Sequence, residues 1–137
     1  MKMLVIDDCQ AVLEIVSIIL KLSGHAVDEA YDGIEAVKRL QENSYDVVIT
    51  DFQMPGMGGV EVCNFLKSQF PGVYIIGMSG SSHALKKLKD AGADVCLSKP
   101  FQLRELEEAI ENRVRSARLD SVAPLSYRSE EISPASL

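Results

Sequence analysis

The stretch VVITDFQMPGMGG, residues 47–59, joins a strand suited to a protein core to a carboxylate and a tight loop. Val47, Val48 and Ile49 form an apolar, β-branched run, which is typical of a buried parallel strand. Asp51 follows this run, and the Met-Pro-Gly-Met-Gly-Gly segment after Phe-Gln is typical of a turn. What this carboxylate does depends on which other residues reach the same edge of the sheet.

Short apolar runs recur along the chain and alternate with longer segments of helical spacing. Strands are predicted at residues 3–6, 26–30, 46–50, 73–78 and 94–97, and helices at 10–23, 33–43, 58–68, 82–91 and 102–117. Five strands that alternate with five helices predict βαβ units. The expected fold class is therefore α/β, a doubly wound five-stranded parallel sheet with helices on both faces.

The 137 residues suffice for one domain with a hydrophobic core. We expect that domain over residues 1–117. The segment 118–137 is rich in Ser and Pro and contains apolar residues only singly, which predicts a flexible C-terminal tail.

Composition narrows the class of protein. Apolar residues make up 47% and charged residues 25%, values that are ordinary for a soluble globular protein. The formal net charge of −6 argues against direct binding of nucleic acid, which needs clustered Lys and Arg. The cysteines are scattered, and an acidic pair stands where a signal peptide needs apolar residues. The sequence also lacks an apolar run long enough to span a membrane. These features predict a cytoplasmic protein without membrane contact.

Polar side chains follow four of the predicted strands. Asp7 and Asp8 come after the first strand, Asp51 after the third, Ser79 after the fourth and Lys99 after the fifth. Because the carboxyl ends of parallel strands meet at one edge, we expect these side chains to converge there.

Each of these residues also has a simpler explanation when it is taken alone. An Asp after a strand often caps the next helix, a Ser in a Ser-Gly-Ser-Ser segment favours a turn, and most loop lysines are solvated. The combination is harder to explain in this way, because two carboxylates about 4 Å apart repel by roughly 4 kcal/mol at an effective dielectric of 20. A cation would offset that repulsion, and hard carboxylate oxygens suit Mg²⁺.

The motifs VIDD, VITDFQMPGMGG, GMSG and LSKPF, in this order and at these intervals, closely resemble response-regulator receiver domains of two-component signalling, the CheY-like family. The resemblance covers about residues 2–117. It implies a flavodoxin-like strand order, 2-1-3-4-5. It also implies a phosphoprotein switch that catalyses only its own phosphorylation and dephosphorylation.

The resemblance further implies a role for each residue at the strand ends. Asp51 would be the phosphoacceptor, Lys99 would pair with the phosphoryl oxygens, and Ser79 would donate a hydrogen bond to them. In this family the peptide bond before Pro100 is cis.

The implied cofactor is Mg²⁺. Asp8 and Asp51 would bind the metal directly, Asp7 would act through water, and the backbone carbonyl of Gln53 would complete the protein ligands.

The implied partners are a sensor histidine kinase or histidine phosphotransferase, which supplies the phosphoryl group, and a downstream protein target. The expected state is a monomer or a weak phosphorylation-dependent dimer. The chain would act as a stand-alone receiver or phosphorelay intermediate; the alternative is the N-terminal receiver of a longer transcriptional or enzymatic regulator.

Two other classes of protein share parts of this pattern. A phosphohydrolase with an aspartyl-phosphate intermediate typically carries D-x-D after the first strand, which VIDDCQ lacks. A flavin-binding electron carrier needs a phosphate-binding loop there, where the acidic residues would repel the phosphate.

Two features depart from the simple pattern. Receivers usually carry an aromatic ring or His three residues before the lysine, whereas this chain has Cys96, which favours a small buried thiol.

The first helix is apolar over a wide arc: its expected core face comprises Val12, Ile15, Val16, Ile19 and Leu22. Leu13 and Leu20 extend the arc beyond what core burial needs, which indicates extra packing or a partner surface beside Asp51.

Overall fold

The computed structural model describes the backbone of residues 1–122 and the side chains of residues 1–116. The strands are β1 (Lys2–Ile6), β2 (Ala26–Ala30), β3 (Val47–Asp51), β4 (Tyr74–Ser79) and β5 (Val95–Ser98). The helices are α1 (Gln10–Leu22), α2 (Gly33–Glu42), α3 (Gly59–Gln69), α4 (Ser82–Asp90) and α5 (Leu103–Val122). The chain forms two compact units, of which Met1–Phe101 holds the sheet and α1 to α4, and the segment from Gln102 holds α5.

The five strands form one parallel sheet in the order β2-β1-β3-β4-β5, which confirms the predicted fold class and strand order. The three central strands β1, β3 and β4 are buried almost throughout, and β2 lies half-buried at an edge. This difference explains why the central strands are continuous apolar runs while β2 contains Asp28 and Glu29.

Helix α5 continues to Val122, five residues beyond the predicted end at residue 117. The added residues include ordinary helix formers such as Arg118 and Leu119, and the first residue that disfavours a helix, Pro124, comes later. The rest of the predicted tail, residues 123–137, lies outside the described residues.

The predicted core face of helix α1 is wrong in part, since Val16 is buried as expected and Val12 and Ile19 are half-buried. Leu13 and Leu20 are 0% and 2% exposed, so they are core residues, whereas Ile15 and Leu22 are 58% and 83% exposed. The buried face also contains Ser17, whose hydroxyl has no hydrogen-bond partner among the described residues. A polar residue on the buried face and apolar residues outside it make the hydrophobic pattern point to the wrong side of the helix.

Within residues 1–122, no helix combines the length and the apolar character that crossing a membrane requires.

Candidate functional site

The carboxyl ends of the parallel strands bring the predicted polar residues together. Asp7 follows β1, Asp51 is the last residue of β3, and Lys99 follows β5 directly. The Lys99 ammonium donates to Asp7 Oδ2 at 2.8 Å and to Asp51 Oδ1 at 3.0 Å. One lysine therefore joins two strands that are not neighbours of its own strand in the sheet.

Three carboxylates cluster around this lysine. One oxygen from each of Asp7, Asp8 and Asp51 lies within 4.8 Å of the others. Asp7 is 1% exposed, and its other carboxylate oxygen accepts a hydrogen bond from the Cys9 N–H at 2.9 Å. Asp8 is exposed, so the cluster has one fully enclosed carboxylate and one that faces solvent.

The environment changes the pKa values of the paired groups. Burial raises the pKa of Asp51, and the neighbouring Asp7 charge raises it further, although the hydrogen bond from Lys99 opposes this. Burial by itself would lower the pKa of Lys99, but the hydrogen bonds to Asp7 and Asp51 outweigh burial and raise it. Lys99 is therefore held as a cation, while the negative charge on Asp51 is disfavoured.

Ser79 ends β4 beside this cluster and is buried. Its Oγ accepts a hydrogen bond from the Ser81 N–H at 3.1 Å, and its backbone carbonyl accepts one from the Lys99 N–H at 2.8 Å. Ser81 in turn caps helix α4 by accepting from the Ala84 N–H at 3.2 Å. The Ser79 hydroxyl is thus engaged with the loop that leads into α4. The peptide bond between Lys99 and Pro100 is cis, as the resemblance implies.

The loop after β3 returns the chain closely past Asp51. Gly56 has a φ of +76°, a conformation that residues with a Cβ rarely adopt. Gly59 lies directly against the strand end, because a Cβ built on it would be 2.2 Å from the Asp51 carbonyl oxygen. Gln53, which lies in this loop two residues after Asp51, is exposed.

Sequence reasoning missed the close approach at Gly77 within β4, where a Cβ would lie 2.9 Å from Leu88 Cδ1. A glycine inside an otherwise apolar strand is the signal that could have revealed this contact, since it often marks a close approach.

The donor chemistry of the cluster suits a hard divalent cation. Its side chains offer carboxylate oxygens and no soft ligand, and Mg²⁺ typically uses one or two carboxylates while it keeps several waters. Exposed Asp8 leaves a route by which a hydrated ion could enter.

A doubly wound parallel sheet binds its ligands outside the carboxyl ends of its strands, and the acidic residues and Lys99 lie at that edge. The family model described as the response regulator receiver domain matches residues 3–111, and the chain belongs to this family of two-component signalling switches.

The chain is 34% identical over 125 residues to the response regulator MprA of Mycobacterium leprae (strain TN). The matched region covers 90% of this chain and 55% of that protein. The chain thus spans about half the length of the curated relatives it matches.

Solved structures agree in fold. A CheY-like receiver domain protein from Methanospirillum hungatei JF-1 matches with a TM-score of 0.81 at 26% identity, over 87% of this chain and 97% of that one. The response regulator TrrA from Thermotoga maritima, solved in complex with Mg²⁺ and BeF, matches with a TM-score of 0.77 at 32% identity, over 82% of this chain and 97% of that one.

Proposed function

We propose that this chain accepts a phosphoryl group on Asp51 from a histidine kinase or histidine phosphotransferase, in a reaction that depends on Mg²⁺. The observation that carries the proposal is the Lys99 ammonium, 2.8 Å from Asp7 and 3.0 Å from Asp51 within a cluster of three carboxylates. A transferring phosphoryl group needs mainly positioning and charge neutralisation, and this cluster offers both.

In the proposed reaction an Asp51 carboxylate oxygen forms a bond to phosphorus, and the bond between phosphorus and the donor imidazole nitrogen breaks. The electron pair of that bond remains on the imidazole nitrogen, and the ring leaves as neutral imidazole because its other nitrogen carries a proton taken up from solvent. Lys99 then pairs with the phosphoryl oxygens, and Ser79 rotates its hydroxyl from the Ser81 N–H towards them. Bound Mg²⁺, held by Asp8, Asp51 and the Gln53 carbonyl with Asp7 acting through water, would neutralise the charge on the transferring group.

Small phosphodonors test this proposal without a partner. After incubation with acetyl phosphate and Mg²⁺, intact-mass measurement should show one added phosphoryl group that acid or hydroxylamine removes. Peptide mapping should place it at Asp51. A stable group on another residue, or no adduct at any Mg²⁺ concentration, would contradict the assignment.

We also propose that the partner that carries the phosphohistidine contacts the exposed face of helix α1. Ile15 and Ile18 are 58% and 57% exposed on a helix that begins two residues after Asp8. Leu13 and Leu20, which the sequence suggested as a partner surface, are buried. The exposed apolar face of α1 is instead formed by Ile15, Ile18 and Leu22. Exposed apolar side chains that lie three or four residues apart on a helix form a continuous surface that a protein partner can cover.

Variants separate this contact from the chemistry. Ile15→Ser should slow phosphotransfer from the partner at least tenfold and leave phosphorylation by acetyl phosphate unchanged. Ile34→Ser is the matched control, because Ile34 is equally apolar and 63% exposed but belongs to α2. Equal transfer rates in both variants would exclude the α1 face as the contact.

A further inference from the structure

Helix α4 is held on the sheet by Leu88, whose side chain is fully buried in a notch between two glycines. A Cβ built on Gly77 of β4 would lie 2.9 Å from Leu88 Cδ1. One built on Gly59, at the start of α3, would lie 3.1 Å from Leu88 Cδ2. The absence of a side chain at both positions is what allows Leu88 to sit this deeply.

The same Gly59 touches the backbone of the site. A Cβ on Gly59 would lie 2.2 Å from the Asp51 carbonyl oxygen and 3.1 Å from Phe52 Cα. Its own N–H donates to the Phe52 carbonyl at 2.8 Å. The space that a Cβ on Gly59 would occupy is therefore bounded both by the strand end that carries Asp51 and by Leu88.

The packing of Gly59 against Asp51, Phe52 and Leu88 leaves no space in which a shift of one of these residues could be absorbed. Protein interiors are close-packed, so a displacement of a few tenths of an ångström at one atom must move its neighbours. A change in the Asp51–Phe52 backbone would press on Gly59 and therefore on Leu88. Leu88 has no free space towards the sheet, because Gly77 closes the other side of the notch.

The remaining ties of α4 to the sheet are weaker or lie at its start. On the side that faces β5, the Cys96 thiol donates to the Leu85 carbonyl at 3.5 Å, and a thiol is a weak donor. At the N-terminus, Ser81 links the helix to Ser79. Cys96 is a small side chain, so β5 offers little side-chain volume at this position to move the helix.

We propose that Leu88 is a positioning residue that couples the state of Asp51 to helix α4 through Gly59. The inference rests on the proposed phosphorylation of Asp51. It adds a packing route to the Ser79 loop: phosphorylation shifts α4 because the two states of the Asp51 backbone fit the seated Leu88 differently. A modification shifts an equilibrium only through such differential contacts.

Amide chemical shifts of the full chain, measured with and without Mg²⁺ and beryllofluoride, test the coupling. In the wild type, shifts should change at Asp51 and Lys99 and also along residues 82–90. In Leu88→Ala the changes at Asp51 and Lys99 should persist, while those along residues 82–90 fall to less than half. Leu85→Ala is the matched control on the same helix and should keep the wild-type response.

A second variant covers the case in which Leu88→Ala does not fold. Gly77→Ala keeps the Leu88 side chain but adds a methyl group that would lie 2.9 Å from Leu88 Cδ1, so it displaces Leu88 from the notch and should reduce the response of residues 82–90 in the same way. A wild-type response along residues 82–90 in a variant that still binds beryllofluoride at Asp51 would overturn the coupling alone. No binding by the wild type would overturn the proposed function, and the coupling with it.

Discussion

The parallel sheet has one edge where its strands begin and an opposite edge where they end. Charged residues lie at both, but they are paired differently. At the edge where strands begin, Asp46 accepts from the Lys2 N–H at 2.7 Å, and the Tyr45 hydroxyl donates at 2.5 Å to Asp28 in the middle of β2. At the edge where strands end, three carboxylates lie within 4.8 Å of one another, and the Lys99 ammonium contacts two of them, Asp7 and Asp51.

The difference shows what each cluster does. Carboxylates that each accept a hydrogen bond from their own donor stabilise the fold and need no further ligand. Acids that share one cation repel each other, and they gain most when a metal ion or a phosphoryl group changes the local charge. Excess charge of one sign therefore marks the functional edge, and balanced charge marks the structural edge.

The largest expected effect is on phosphorylation, and it distinguishes Asp51 at the edge where strands end from Asp46 at the edge where they begin. Asp51→Asn should abolish the acid-labile label from acetyl phosphate, because the amide cannot act as the nucleophile. Asp46→Asn, the matched change at the other edge, should be labelled at the wild-type rate. Mass spectrometry of both variants measures this, and full labelling of the Asp51 variant would remove the contrast between the edges.

Metal affinity should divide the acids more finely. Asp8→Ala should weaken Mg²⁺ binding roughly tenfold or more, about 1.4 kcal/mol, since the variant loses a solvent-facing ligand. Asp7→Ala should weaken it less, because the Asp7 oxygens already accept from Lys99 and Cys9. Titration calorimetry gives both values. Affinities equal to the wild type in both variants would exclude the acidic cluster as the metal site.

Stability without metal should change in opposite directions at the two edges. Because the pKa of Asp51 is raised in the fold, its ionised form costs stability at neutral pH, and Asp51→Asn removes that cost. We expect the melting temperature to rise by roughly 4 °C per 1 kcal/mol in a domain of this size. A fall in the melting temperature would show that the Lys99 contact outweighs the repulsion.

Tyr45→Phe, at the other edge, should lower the melting temperature. It removes the donor of a half-buried carboxylate and costs about 1 kcal/mol. Thermal unfolding at pH 7 measures it, and an unchanged melting temperature would mean that Asp28 finds another donor.

The smallest effect concerns His25, which precedes β2 and accepts from the Met1 ammonium at 3.2 Å. Burial, and then the positive charge of the N-terminus, lower the pKa of His25. The unfolded chain therefore binds a proton more readily than the fold, so stability should decrease as pH falls below about 6.5. Urea unfolding between pH 8 and pH 5.5 should show this slope reduced in His25→Gln, and an identical slope in both proteins would contradict the assignment.

The sequence by itself determined the elements and the meeting of the polar residues. Each strand begins and ends within a residue or two of its predicted bounds, because short apolar runs mark buried parallel strands and helical apolar spacing marks the segments between them. Once the sheet is parallel, Asp7, Asp51 and Lys99 must share an edge, so their convergence needed no knowledge of packing.

Only the tertiary structure decided which surfaces pack and how the charges pair. Ser17 turns towards the core and Ile15 towards solvent, because the way a helix rotates on its sheet depends on the shape of everything beneath it. The Leu88 notch joins Gly59 and Gly77, residues far apart in the chain, and no local pattern encodes such a contact. Spacing along a chain determines periodic structure, whereas close packing is a property of side chains that meet only after folding.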